Sequence, residues 1–139
     1  MKRKIRLMIC LALVSLVLCA CAFDLSPEAS PVAQDMMREL ARGNKETALS
    51  LMHPDMREQI KDLDKTVEDL IEFVDGRCVQ EWKQTSINVK NQVGTNSGKF
   101  EEGTFRVTLD DGTVLKIDYE YSSNKAGKGF ISFYLSVGK

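Results

Sequence analysis

Residues 104–121 read Thr-Phe-Arg-Val-Thr-Leu-Asp-Asp-Gly-Thr-Val-Leu-Lys-Ile-Asp-Tyr-Glu-Tyr, and this stretch decides the fold. Phe105, Val107 and Leu109 alternate with polar neighbours, and Leu115, Ile117, Tyr119 and Tyr121 do the same beyond Asp111-Gly112. Alternation with period two gives each strand one apolar face, and Asp-Gly supplies the positive φ that a tight hairpin turn requires. The spacing predicts an antiparallel hairpin with strands near 104–110 and 113–121, buried on one side and wet on the other.

The same period continues on both sides. Downstream, a loop from Ser122 to Lys128 leads to a strand with Ile131, Phe133, Leu135 and Val137 on one face. Upstream, Ile87, Val89 and Val93 alternate with Ser86, Asn88, Lys90 and Gln92, and Gly94–Lys99 is a polar turn. Gly112, Gly127 and Gly129 fall where turns are expected.

Before residue 77 the period is helical. Ser30-Pro31 is a start signal, Val32, Met36, Met37 and Leu40 form a stripe, and Gly43 stands where a C-terminal glycine belongs, predicting a helix over Pro31–Arg42. Asn44 is placed to cap a second helix carrying Ala48, Leu49, Leu51 and Met52. His53-Pro54 interrupts that helix, since the residue before proline leaves the helical region. A new turn follows with Met56, Ile60 and Leu63, then a helix capped by Asp64 or Thr66, striped by Val67, Leu70, Ile71 and Val74, and ended by Gly76. Helices followed by a meander of about four strands make an α+β domain.

The chain begins differently. Lys2, Arg3, Lys4 and Arg6 precede an apolar run of about 12 residues from Leu7 to Leu18, the layout of an export signal and too short for a membrane span. Leu18-Cys19-Ala20-Cys21 resembles the lipobox of bacterial lipoproteins. That resemblance implies cleavage after Ala20 and a diacylglycerol thioether on Cys21. It divides the chain into a signal peptide (1–20), a lipidated Cys and tether (21–30) and a folded domain (31–139). The expected location is the cell membrane or outer membrane, with the domain outside the cytoplasm.

Loss of residues 1–20 removes four of the 19 basic residues and none of the 20 acids, leaving 15 against 20, a net charge of −5. This balance disfavours nucleic acid and anionic headgroups as ligands of the domain as a whole. Of four cysteines, Cys10 and Cys19 leave with the signal and Cys21 is lipidated, so Cys78 remains alone and reads as a small buried hydrophobe. No phosphate loop, nucleophile elbow, HExxH or paired-Cys pattern occurs, and no metal, cofactor or catalytic residue is assigned.

Asn44-Lys45-Glu46-Thr47-Ala48-Leu49 leading into His53, and Leu70-Ile71-Glu72-Phe73-Val74-Asp75-Gly76 before the sheet, resemble small Firmicutes lipoproteins of an uncharacterised NTF2-like family. The resemblance covers about Pro31–Lys139. It implies a cystatin-like cone, in which a curved sheet wraps the first helix around a cavity. Some NTF2-like proteins are isomerases or dehydratases with an acid and a phenol in the cone. Tyr119 and Tyr121 lie on the apolar face and are the candidates for lining such a cavity. Asp118 and Glu120 alternate to the wet face and His53 sits at a helix break, so none of them supplies the acid.

The favoured expectation is a non-catalytic binding or interaction module with an envelope protein as partner. The alternative is a small cone-cavity enzyme of the isomerase or lyase type. Residues 55–75 carry eight acids and three bases and read first as a solvated helix face; the alternative is a docking surface for a basic partner, marked by Glu68 and Glu72 one turn apart. Trp82 reads as a cover for a core edge, and Met36, Met37, Met52 and Met56 as core.

Overall fold

A computed structural model of the protein describes residues 26–59, 61–94 and 97–139; Cys21, the expected signal and Ile60 lie outside the described residues. Four helices, α1 (Ala29–Arg42), α2 (Lys45–Ser50), α3 (Pro54–Gln59) and α4 (Leu63–Val74), precede the sheet. Its strands are β1 (Val79–Gln92), β2 (Gly98–Leu109), β3 (Val114–Asn124) and β4 (Gly127–Val137). They form an open curved sheet in the order β1-β2-β3-β4, antiparallel at every step.

The core lies between the helices and one face of the sheet. Ala33, Met36, Met37 and Leu40 recur on one side of α1 and are buried, as are Val67 and Val74 of α4. Phe105, Val107, Leu109, Leu115, Ile117, Tyr119 and Tyr121 are all buried on the facing strands. The central hairpin therefore forms as its alternation requires. Gly112 closes it at φ 84°, and the Asp111 carboxylate accepts the Thr113 N–H at 2.9 Å. That bond holds the Asp111 carboxyl below the ordinary carboxylate range.

The helix ends follow the glycines, but the starts differ. Gly43 ends α1 at φ 69°, and Asp75 and Gly76 end α4 at φ 51° and 70°. Asn44 caps α2, accepting the Thr47 N–H at 3.5 Å. Ser30 is not the cap of α1: the helix begins at Ala29, because its first N–H groups find an acceptor on β2, described below. Helix α4 likewise starts at Leu63, ahead of Asp64 and Thr66; Thr66 Oγ1 instead bonds back to the Asp62 carbonyl at 3.1 Å.

Both outer strands depart from simple alternation. On β1, Ile87 is 43% exposed, because this strand pairs only with β2, carries irregularities at Val79/Glu81 and Gln84/Ser86, and brings only Val79 and Trp82 to the core; Val93, expected on this strand, falls just beyond its end and is 96% exposed. On β4, the register shifts opposite Glu120/Tyr121, where Ser132 and Phe130 are the partners and Ile131 is the extra residue. Such a bulge re-aims side chains. Phe130, Phe133 and Leu135 face the core, while Val137 is 67% exposed. The expected loop 122–128 shrinks to two residues, as β3 runs to Asn124 and β4 starts at Gly127.

The α2–α3 connection explains Gly129. Phe130 N–H donates to the Leu51 carbonyl at 3.0 Å and His53 N–H to the Phe130 carbonyl at 2.9 Å, a parallel bridge onto β4. A Cβ on Gly129 would overlap the backbone of Met52 and His53, so this glycine permits a close approach rather than serving a turn. Buried His53 is locked there: Nδ1 accepts the Asp55 N–H at 3.2 Å, leaving Nε2–H for the Asn124 side-chain oxygen at 3.1 Å. Cys78 is exposed, contrary to its sequence reading; its carbonyl, accepting the Asp110 N–H at 2.8 Å, is the part that is held.

Candidate functional site

The chemistry-bearing groups of the core meet at the head of α1. Alternation along β2 sends Glu101, with Phe105 and Val107, to the helix side, where Glu101 is fully buried. Its Oε1 accepts the Tyr119 hydroxyl proton at 2.8 Å. Its Oε2 accepts the backbone N–H groups of Glu28 at 2.9 Å and Ala29 at 3.1 Å. The carboxylate thus occupies the positive end of the α1 dipole and satisfies two of its orphan donors.

Gly103 sits opposite Tyr119 and makes room for it, since a Cβ there would lie 2.9 Å from the Tyr119 oxygen and overlap the Ser86 carbonyl. Gln84 completes the network, donating from Nε2 to the Tyr119 oxygen at 2.9 Å and to the Ser86 carbonyl at 2.8 Å. Burial pushes the Tyr119 phenol far above its ordinary range, and the Glu101 bond adds to this while Gln84 opposes it. Burial raises Tyr121 too, helped by the charges of Glu28 and Glu101. Outside the core, Lys99 Nζ bonds the Ser26 carbonyl at 2.9 Å and Glu28 Oε1 at 3.2 Å, and Lys128 lies 3.5 Å from Glu28 Oε2.

An acid therefore does stand beside a predicted phenol, although it is neither Asp118 nor Glu120. Both of those lie on the outer face. Burial alone would raise the Asp118 carboxyl, but Lys116 at 2.9 Å and Thr104 at 2.8 Å outweigh it and hold it below its usual range. In sequence this strand's alternation begins at Phe105, and Glu101 is assigned nothing. The available signal was parity: residue 101 shares the face of residues 105, 107 and 109.

What this arrangement does chemically follows from access. Each Glu101 oxygen is hydrogen-bonded, and none of its surface meets solvent, so no substrate proton reaches it. The aromatic rings pack rather than line an open cone. Phe105 stacks on Tyr119 at 4.7 Å, and Phe130 meets Tyr119, Tyr121 and Phe133 edge-on at 6.1, 5.3 and 4.9 Å. Tyr119 and Tyr121 share this core with Met36, Leu40 and Phe133.

Glu68 and Glu72 are exposed on α4, but Glu68 is already bonded by Lys45 at 2.9 Å, which raises the Lys45 ammonium above its ordinary value. The structure does not join them to the Glu101 network, and Cys21 lies outside the described residues. A groove of about 510 Å³ runs between α1 and β1, with Met37, Ala41, Val79 and Trp82 in its lining beside Arg38 and Arg42. Trp82 is half-buried against Phe105 at 4.5 Å, and its buried indole N–H has no hydrogen-bond partner among the described residues. Among the described residues no helix is long and apolar enough to cross a membrane. Comparison with protein-family profiles, with curated proteins and with solved structures finds no match.

Proposed function

We propose that this chain is a bacterial envelope lipoprotein, anchored through Cys21, whose NTF2-like domain is a non-catalytic binding or interaction module. The carrying observation is the state of Glu101. The acid that an isomerase or lyase would need beside Tyr119 is sealed, and its lone pairs hold the first turn of α1. A short apolar leader ending in Leu18-Cys19-Ala20-Cys21 supports the anchor, and the helices-then-meander order supports the NTF2-like assignment. The partner is a basic envelope protein that meets the acidic 55–75 stretch, where Glu72 is free of the ion pair that occupies Glu68.

The test uses the full chain made in a bacterium. Mass analysis of the membrane-extracted protein finds an acylated Cys21 at the N-terminus, and an unmodified N-terminus elsewhere refutes the anchor. Cross-linking on the cells captures a partner whose yield falls at high salt and in a Glu68→Lys/Glu72→Lys variant, because charges that meet across water are screened within about 8 Å. Capture indifferent to both changes refutes the acidic surface. The 2.8 Å Tyr119–Glu101 contact is the one feature that favours the enzyme reading. That reading requires a ligand that opens the first turn of α1 and exposes Glu101 to hydrogen exchange at residues 28 and 29.

A further inference from the structure

We propose that the end of the sheet carrying the β1–β2 and β3–β4 turns rests on the phospholipid surface, with Val93, Lys125 and Lys128 against the headgroups. The inference deepens the proposed function and rests on the Cys21 anchor.

Where the chain comes into the domain is held firmly. Lys99 at the start of β2 bonds the Ser26 carbonyl, Glu101 takes the Glu28 and Ala29 N–H groups, and Glu28 lies between Lys99 and Lys128. Ser26 is thereby held at the sheet end where Gly98, Asn124 and Gly127 stand side by side. Four residues lie between Cys21 and Ser26, five steps along the chain. Fully extended they reach at most about 18 Å. Strand β2, with its 12 residues, is about 40 Å long. The acyl chains on Cys21 therefore bring this end of the sheet to the bilayer, while the Asp111-Gly112 end, where Cys78 bonds Asp110, stays beyond the reach of the tether.

The surface at the near end suits that neighbour. Val93 is 96% exposed, more than any other large hydrophobic residue described, and it lies on the β1–β2 connection. The adjacent turn presents Lys125, and Lys128 is 65% exposed, 3.5 Å from one Glu28 oxygen. An apolar tip flanked by lysines sits comfortably at a headgroup boundary, where the ammonium groups stay in water and meet lipid phosphates. The acids nearest this end are Glu28, which Lys99 and Lys128 flank, and Asp55, 3.6 Å from the His53 ring, while the Arg77–Asp111 contact lies at the other end.

The experiment reconstitutes the lipidated full chain into vesicles of phosphatidylcholine and phosphatidylglycerol containing headgroup spin-labelled lipid. One sample carries a fluorophore on Cys78. The other carries it on Lys125→Cys in a Cys78→Ser background. The label at 125 should be quenched several-fold more than the label at 78, and Val93→Asp should reduce quenching at 125 without releasing the protein. Equal quenching at both positions in protein that floats with the vesicles overturns the orientation while leaving the anchor intact. Unchanged quenching in Val93→Asp overturns the Val93 contact. Protein that fails to float, with Cys21 unmodified by mass, overturns the anchor and the orientation with it.

Discussion

The two ends of the sheet each hold a helix terminus, with opposite charges suited to opposite ends of the helix dipole. At one end Glu101 receives the first N–H groups of α1. At the other, Arg77 donates to the last carbonyls of α4, at Val74 (2.9 Å) and Phe73 (2.6 Å), and to Asp111 and Thr113 of the hairpin turn, both at 3.2 Å. The electrostatic logic is the same and the solvent access is not. Glu101 is wholly buried, whereas the Arg77 side chain is 23% exposed and Asp111 is exposed. Water can replace what Arg77 gives up and cannot replace what Glu101 gives up.

Glu101→Ala should therefore have the largest effect, lowering unfolding free energy by about 3 kcal/mol, since it takes the acceptor from a buried phenolic O–H and two N–H groups at once. Urea denaturation measures this, and a loss no greater than that of Arg77→Ala breaks the contrast between the two ends. Arg77→Ala should cost about 1.5 kcal/mol, because its carbonyl partners turn to solvent. Hydrogen exchange should localise that loss to the last turn of α4.

Tyr119→Phe should cost about 1 kcal/mol and sharpen the comparison through pH. Burial raises the folded phenol above its unfolded value near 10, so the unfolded chain releases the proton first as pH rises. The contribution of Tyr119 is whole below about pH 10 and is lost above it. Stability should fall in alkali for the native protein and less steeply for Tyr119→Phe; equal slopes would refute a buried phenol. The smallest effect belongs to Glu68→Lys with Glu72→Lys. These side chains face water, so the melting temperature should drop slightly, through the loss of Lys45's partner, within the range of ordinary surface changes.

The hairpin was legible because its information is local. Phe105 to Tyr121 carries its own period and its own turn, and pairing them needs nothing else. Gly43 and Gly76 were legible for the same reason. What escaped depends on neighbours distant in sequence. Ile87 has the pattern of a buried face but belongs to a strand at the sheet's edge with little laid over it, and Val93 falls beyond that strand's end. Ile131 alternates correctly with Phe133, yet a bulge gives its place to Phe130. Gly129 resembles a turn glycine until the 51–53 backbone is laid against it. At the site, Tyr119 and Tyr121 were found by parity, and Glu101 was missed because its partners lie 72 and 73 residues away, on an element whose position no local pattern gives.

Those separations also say something about the order of events as the chain is made. Helix α1 is among the first parts of the domain to be synthesised, but the acceptor for its leading N–H groups is residue 101. The bridge that seats the α2–α3 connection waits for residue 130. Contacts of such long range form late and slowly. A helix that stays unfinished until most of the chain exists leaves the nascent protein loose and threadable for nearly the whole of its synthesis.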